Sequence, residues 1–269
     1  MTSPPRAWGN TIRIVFLVYV ALLTAYILAP VFSLVLFSFQ AGQIQSFPIE
    51  GYSLRWYRMA IENSSYREGF VNSVVVGVAA SSLAVLLGFS TAHTLSRLRW
   101  GSQLPFLIAV SIPAAVPAIS VSVAILICFQ QVHLAGGLLA VIVAHVCIVS
   151  PFAAIILLNA YKHLNPDLES AAHNLGAGFW TVIGSVVIPQ LRLSLIGAWV
   201  LCFVISWDEY VYAWYLGGFS RTLPVVIYGR MSGAIDPSLN AIGTLSIAVS
   251  IAFGMLFWVM WRSRALRER

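Results

Sequence analysis

The chain has 269 residues, of which 59% are hydrophobic and only 9% charged, against about 45–50% and about 25% in ordinary soluble domains. Fifteen Lys and Arg with nine Asp and Glu are too few to solvate a soluble globule of this size, so most of the surface must face lipid. The net charge of +6 does not indicate nucleic acid, because the basic residues, all Arg except Lys162, are scattered through short loops and tails and form no basic face.

A spanning helix needs about 20 apolar residues to cross a hydrocarbon core of about 30 Å. Six stretches qualify, in chain order Ile12 to Phe39, Phe70 to Leu95, Leu104 to Val132, Leu134 to Tyr161, Leu193 to Leu216 and Leu239 to Trp261. Arg6 and Arg13 precede or open the first stretch, which is too long for the apolar region of a secretory signal and reads as an uncleaved anchor. Between the second and third spans the break rests on Arg97, Arg99 and Gly101; between the third and fourth it rests on Gln130, Gln131 and His133. Pro113 and Pro117, near Ser111 and Ser120, are hinge candidates that unwind or kink the third span, and such broken backbone commonly lines a cavity. Pro151 is a similar candidate in the fourth. Cys128, Cys147 and Cys202 are isolated in apolar runs without CxxC spacing and read as buried structural thiols. His93, His133, His145, His163 and His173 lack ligand spacing, and His145 reads as a hydrogen-bonded packing residue.

Six spans put both termini on one side. With the termini in the cytoplasm, ten Arg and Lys lie inside and five outside, which satisfies the positive-inside rule, and the terminal WRSRALRER gives the clearest single indication. The expected division is a cytoplasmic tail over 1–11, a single six-helix membrane domain over 12–262 and a basic tail over 263–269. Residues 40–69 form the longest external connection, in which Leu54, Tyr57, Met59 and Ile61 alternate with Arg55, Arg58 and Glu62 around Trp56, a pattern suited to a helix lying on the outer membrane surface.

Residues 162–192 form the longest cytoplasmic connection. Asn165 and Pro166 are a helix-start signal, and Asp167 and Glu169 place negative charge in the first turn, where the helix dipole favours it. Ala171, Ala172 and Leu175 give the helix a small apolar face, and Gly176 and Gly178 are its stop. Such a helix either docks another protein closely or is an ordinary surface connection.

The run LESAAHNLGAGFWTVIGSVVIP resembles the EAA loop of the permease subunits of binding-protein-dependent ABC importers. Ala171, Ala172, Gly176 and Pro189 match at the family spacing, while Ser170 stands at the motif's Glu position, Val186 at its Ile and Ile188 at its Leu. FVISWDEYVYAWYLGG, TLPVVIYGRMSGAIDPSLNAIGTL and YSLRWYRMAIEN are similar to the polyamine branch of these permeases. The resemblance implies an all-α membrane protein, a MetI-like bundle of six helices with its transmembrane core over about 66–261. It also implies a second permease subunit in a homodimer or, more in keeping with this branch, a heterodimer; two ATP-binding subunits; and an extracytoplasmic solute-binding protein. The ATPase-docking residues it implies are Glu169, Ser170, Ala171, Ala172, Leu175, Gly176 and Ala177, with Glu169 a candidate substitute for the missing motif carboxylate. The membrane is then the inner membrane of a bacterium.

Asp208 and Glu209 interrupt the fifth span, and a carboxylate at bilayer depth is a functional candidate by default. Trp207, Tyr210, Tyr212, Trp214 and Tyr215 supply π faces for an organic cation, so acid and aromatics together suit an amine; the other reading is a hydrated pair in the interfacial aromatic belt. Catalysis finds no support. GxxxxGK[ST], HExxH and GxSxG are all missing, so the chain is expected to hold no cofactor, with ATP and Mg on partner subunits. The expected function is half of a translocation pathway for a small organic solute, a polyamine or related cation; the alternative is an ion-coupled transporter or channel using Asp208 or Glu209.

Overall fold

The computed structural model describes residues 6–49, 51–98, 100–132, 136–231 and 237–265. Expectations placed on Arg99, His133, Arg267 and Arg269, and on 232–236 of the TLP-containing segment, lie outside them. Among the described residues the regular elements are helices, and β-pairing is limited to an isolated antiparallel bridge between Gln40 and Tyr52. Among the described residues, five helices are long and apolar enough to cross a membrane, six when a bent pair is counted as one span. The chain divides into two compact units, 1–63 with 230–246 and 64–229 with 247–269.

In the first unit, α1 (Arg6–Ser38) is apolar on every side, and no residue of its most hydrophobic window is buried. A helix of that kind is stable in lipid and not in water. Beyond it, the Trp56 indole donates to the Gln40 carbonyl at 2.7 Å, and Ser38 and Tyr57 share a 2.6 Å hydrogen bond. The amphipathic stretch folds as α2 (Arg55–Glu62), burying Trp56 and Ala60 and exposing Met59 and Ile61.

The second unit is built on α3 (Ser64–Ser96), α6 (Leu138–Tyr161) and α9 (Ile188–Asp208). The buried face of α3 is a stripe of small residues, including Gly69, Ser73, Gly77, Ala80, Ala84, Gly88 and Ala92, recurring every three or four positions. Lipid supplies no hydrophobic drive between apolar helices, so close backbone packing must hold them. A Cβ at Gly88 would lie 2.7 Å from the Ala153 Cβ, and one at Gly77 would lie 2.8 Å from the Phe203 ring. The Cys202 thiol, buried between helices, donates to the Val149 carbonyl at 3.4 Å.

Several boundaries differ from expectation. The second span begins at Ser64 rather than Phe70, and Gly101 lies inside α4 (Trp100–Ala115) rather than breaking the chain. The third span is two helices, α4 and α5 (Ala118–Gln131), bent by 92°. The bend falls at Val116 and Pro117, with Pro117 as the first residue before α5, while Pro113 sits inside α4. Pro151 likewise lies within α6, buried. Of the three thiols expected to be buried, Cys202 is; Cys147 is half-buried, and Cys128 is exposed because its position in α5 faces away from the core. The fifth span begins at Phe179, far earlier than Leu193, and ends at Asp208. Residues 162–192 are therefore not one long loop. Pro189 has no N–H to donate to a carbonyl four residues back and would ordinarily break such a run. Instead one π-helical turn, Ile183–Val187, precedes it, and the Ile188 N–H bonds five residues back to the Ile183 carbonyl.

Candidate functional sites: the docking loop and the acidic turn

Both candidate sites lie in the second unit, at opposite ends of the 30-residue helical run Phe179–Asp208. At a rise of 1.5 Å per residue that run is about 45 Å long.

At its start, α7 (Pro166–Asn174) is capped by Asn165, whose side-chain oxygen accepts the Asp167 N–H at 2.9 Å, with Pro166 at the first helical position. Its end is a double turn closed by Gly176 N–H to the His173 carbonyl at 2.9 Å and Ala177 N–H to the Ala172 carbonyl at 3.0 Å. Gly176 sits at φ +83°, the left-handed conformation such an ending requires. Gly178 does not: at φ −72° it caps the short α8 (Phe179–Val182), so Gly176 alone stops the helix. A Cβ at either glycine would meet no other atom of the chain, leaving the surface over this turn open. Ser170, Ala171, Leu175 and Gly176 are exposed, and Ala172 and Ala177 are half-buried. Leu175 and Trp180, at 89% and 81% exposure, are the large apolar groups that stand out furthest here, with Leu168 and Phe179 beside them in sequence. Trp180 was missed in the sequence, although it lies within the matched loop.

Glu169 differs from its neighbours. It is buried and forms an ion pair with Arg97, the residue that follows α3. One turn earlier on α3, His93 shares a 3.1 Å hydrogen bond with the Tyr161 hydroxyl and meets the Phe179 ring edge-on at 5.6 Å.

At the far end, the helix stops at Asp208, Glu209 is extended, and a six-residue helix, α10 (Val211–Leu216), follows. The acidic pair thus ends the span instead of interrupting it. Asp208 is exposed. The Glu209 carboxylate turns inward, accepting the N–H groups of Val211 at 3.1 Å and Tyr212 at 2.9 Å, which satisfies the first turn of α10. The fully buried His145 lies behind it, with Nε2 3.7 Å from the carboxylate and Nδ1 2.7 Å from the Ser206 hydroxyl.

The aromatic residues separate in the same way. Trp207 is 1% exposed, stacked on Phe203 and edge-on to Phe70, and Tyr212 is buried against His145, so neither lines an open surface. Trp214 and Tyr228 of α11 (Leu223–Met231) remain outside, with the half-buried Tyr210 against them: ring centroids are 4.5 Å apart for Tyr210 and Tyr228, 5.7 Å for Tyr210 and Trp214, and 6.2 Å for Trp214 and Tyr228. Tyr215 is also exposed. Tyr228 was missed because its partners lie across a loop. That loop is clamped by α3: Asn72 donates to the Arg221 carbonyl at 2.9 Å and the Ser73 hydroxyl accepts the Leu223 N–H at 2.8 Å.

Residues 84–265 match the family described as binding-protein-dependent transport system inner membrane component. The chain is 25% identical over 252 residues to the putrescine transport system permease protein PotI of Escherichia coli K12, covering 91% of this chain and 89% of that protein. It is 26% identical over 239 residues to the spermidine/putrescine transport system permease protein PotC of Haemophilus influenzae, covering 88% and 93%. Among solved structures, a chain of a bacterial ABC transporter involved in import of the acidic polysaccharide alginate aligns with a TM-score of 0.71 at 16% identity, over 98% of this chain and 99% of that one. A chain of the MetNI methionine ABC transporter in an inward-facing conformation aligns at 0.58 and 19% identity, over 75% and 98%.

Proposed function

The chain belongs to the family of inner membrane components of binding-protein-dependent transport systems, and within that family we propose that it forms half of a pathway importing a small organic cation of the polyamine class. The second half is another permease subunit. Two ATP-binding subunits engage α7 and the turn at Gly176, and an extracytoplasmic binding protein delivers the solute. Nucleotide and Mg are held by the ATP-binding subunits, and both termini lie in the cytoplasm. The observation that carries the docking reading is the end of α7: a capped helix stopped by a left-handed glycine, with open space over Gly176 and exposed Leu175 and Trp180 around it. A glycine there lets another backbone approach closely.

The polyamine reading is supported by the putrescine and spermidine/putrescine permeases that the chain matches and by the exposed Trp214 and Tyr228 with the half-buried Tyr210 between them beside the acidic turn. Aromatic faces and a carboxylate attract an ammonium group. The fold itself carries no substrate information, since the alginate importer shares it. ATP-driven closure of the motor subunits would move the docking loop and tilt the core helices, opening the far end by alternating access. The ion-coupled alternative loses its free buried acid, because Glu209 is engaged with backbone N–H groups.

Reconstitution tests the reading. Putrescine uptake into proteoliposomes is expected only when ATP, the ATP-binding subunits and the binding protein are all present. Gradient-driven uptake by this chain alone would overturn it.

A further inference from the structure

We propose that Arg97 and Glu169 are a positioning pair that fastens the docking helix to α3, so that α3 carries motion of the docking helix to the far end of the core. The proposal rests on the reading of α7 as the docking helix.

Register separates Glu169 from the docking face. Neighbouring residues on a helix point about 100° apart. Ser170, at the family's Glu position, is exposed and bonds its own helix through the Pro166 carbonyl at 3.1 Å. Glu169 points the other way, its side chain 10% exposed against 52% for Arg97. The carboxylate nearest the motif position therefore faces this chain's own core rather than open space, and does not substitute for the missing docking acid.

The pair ties parts of the unit that are otherwise loosely joined. Non-helical turns flank α7, and its principal packing is on α8 and the π-helical turn that follow it in the same segment. The Arg97 bond instead spans 72 residues of sequence and reaches the end of α3. His93 lies one turn before Arg97, on the same side of α3 by the i,i+4 rule. Its contacts with Tyr161 and Phe179 brace that end against α6 and the start of the next span.

What makes the pair more than a local salt bridge is the helix it joins. α3 runs without a break from Ser64 to Ser96 and packs along α6 and α9. At its other end Asn72 and Ser73 hold Arg221 and Leu223, on the loop that leads from α10 to Tyr228. From Ser73 to Ser96 is about 35 Å of helix at 1.5 Å per residue. One rigid element is thus bonded to the docking helix at one end and to the loop beside the acidic turn at the other.

The test compares Glu169→Gln, Arg97→Gln and the charge exchange Glu169→Arg with Arg97→Glu, each in the complete reconstituted complex. Each single variant is expected to keep its ATP-binding subunits on purification yet lower putrescine accumulated per ATP hydrolysed by about fivefold or more, the usual lower range of a coupling effect. The exchange is expected to recover most of the loss. A pair that only stabilised the fold would lower uptake and hydrolysis together, and that result would overturn the proposal. So would full coupling in either single variant, or loss of the ATP-binding subunits in Glu169→Gln but not in Arg97→Gln, since the carboxylate would then face the motor subunit. A second readout needs no solute: spin labels at Leu98→Cys and Leu175→Cys, with Cys128 and Cys147 replaced by Ala, should give a narrow distance distribution that broadens in both single variants. An unchanged distribution would equally refute the pin. The docking reading is checked apart from these outcomes: cross-linking from Leu175→Cys that fails to reach an ATP-binding subunit would refute docking without bearing on the pin.

Discussion

The docking loop and the acidic turn occupy the two ends of one helical run, yet they are made in opposite ways. The start and stop of the docking loop are local: Asn165 caps α7 two residues on, and Gly176 closes it within four, while the Glu169–Arg97 pair ties it to α3. Its large apolar groups, Leu175 and Trp180, are left outside. The acidic turn is assembled from a distance, by His145 from α6 and by Asn72 and Ser73 from α3, the last two reaching across 149 and 150 residues. A segment that satisfies its own backbone while exposing apolar side chains is suited to the docking role proposed for it. One that caps its own first turn through Glu209 but is packed by His145 and followed by a loop clamped from α3 is suited to hold a shape inside its own subunit.

The largest effect expected from this contrast is at Gly176. A side chain at φ +83° costs about 1–2 kcal/mol of backbone strain, and Gly176→Asp adds charge to a surface that must accept a backbone. It should release the ATP-binding subunits, read by co-purification, while the chain still inserts in the membrane. Gly178→Ala, at φ −72° with nothing nearby, should leave co-purification intact. Equal loss in both would break the distinction between them.

Glu209→Ala comes next. It strips two backbone N–H groups at the start of α10 of their acceptor and should lower the thermal stability of the purified chain by about 1–2 kcal/mol. Asp208→Asn should leave stability unchanged and reduce putrescine uptake severalfold. Its effect is smaller than that of a buried charge because Asp208 is exposed and solvent screens it. Should Asp208→Asn destabilise the chain and Glu209→Ala leave it intact, the two roles would be reversed.

Asn72→Ala should loosen the loop that holds Arg221, raising hydrogen exchange over residues 217–223 at a cost of about 1 kcal/mol. Smallest of all, Ser170→Glu restores the family residue on an exposed position and should change coupled uptake by less than about twofold.

The same contrast explains how far the sequence could be read. The start of α7 at Pro166 and its stop at Gly176 were legible because Asn-Pro, first-turn acids and glycine act through neighbours along the chain. The end of the fifth span was not. Nothing in WDEYVYAW distinguishes a continuous helix from one that breaks at Glu209, since the break depends on the carboxylate finding the Val211 and Tyr212 N–H groups while His145 and Ser206 pack behind it. Trp207 and Tyr212 read as lining for the same reason: aromatic composition identifies candidates, but burial against Phe203 and His145 removes those two. The early start at Phe179 was not legible because a proline inside a helix ordinarily interrupts it, and the π-helical turn before Pro189 reconciles it with an unbroken helix. The membrane itself, by contrast, was fixed by composition alone.

If α3 joins the two ends of the core, the two ends of this run respond to each other across the bilayer. This coupling is tested most directly by Asp208→Cys, with Cys128 and Cys147 replaced by Ala and the buried Cys202 kept, in the complete complex, timing the reaction of the new cysteine with a membrane-impermeant maleimide added from outside. Trapping the ATP-binding subunits with ADP and vanadate is expected to raise the labelling rate above that of the nucleotide-free complex. A rate that is the same with and without trapped nucleotide would contradict the claim.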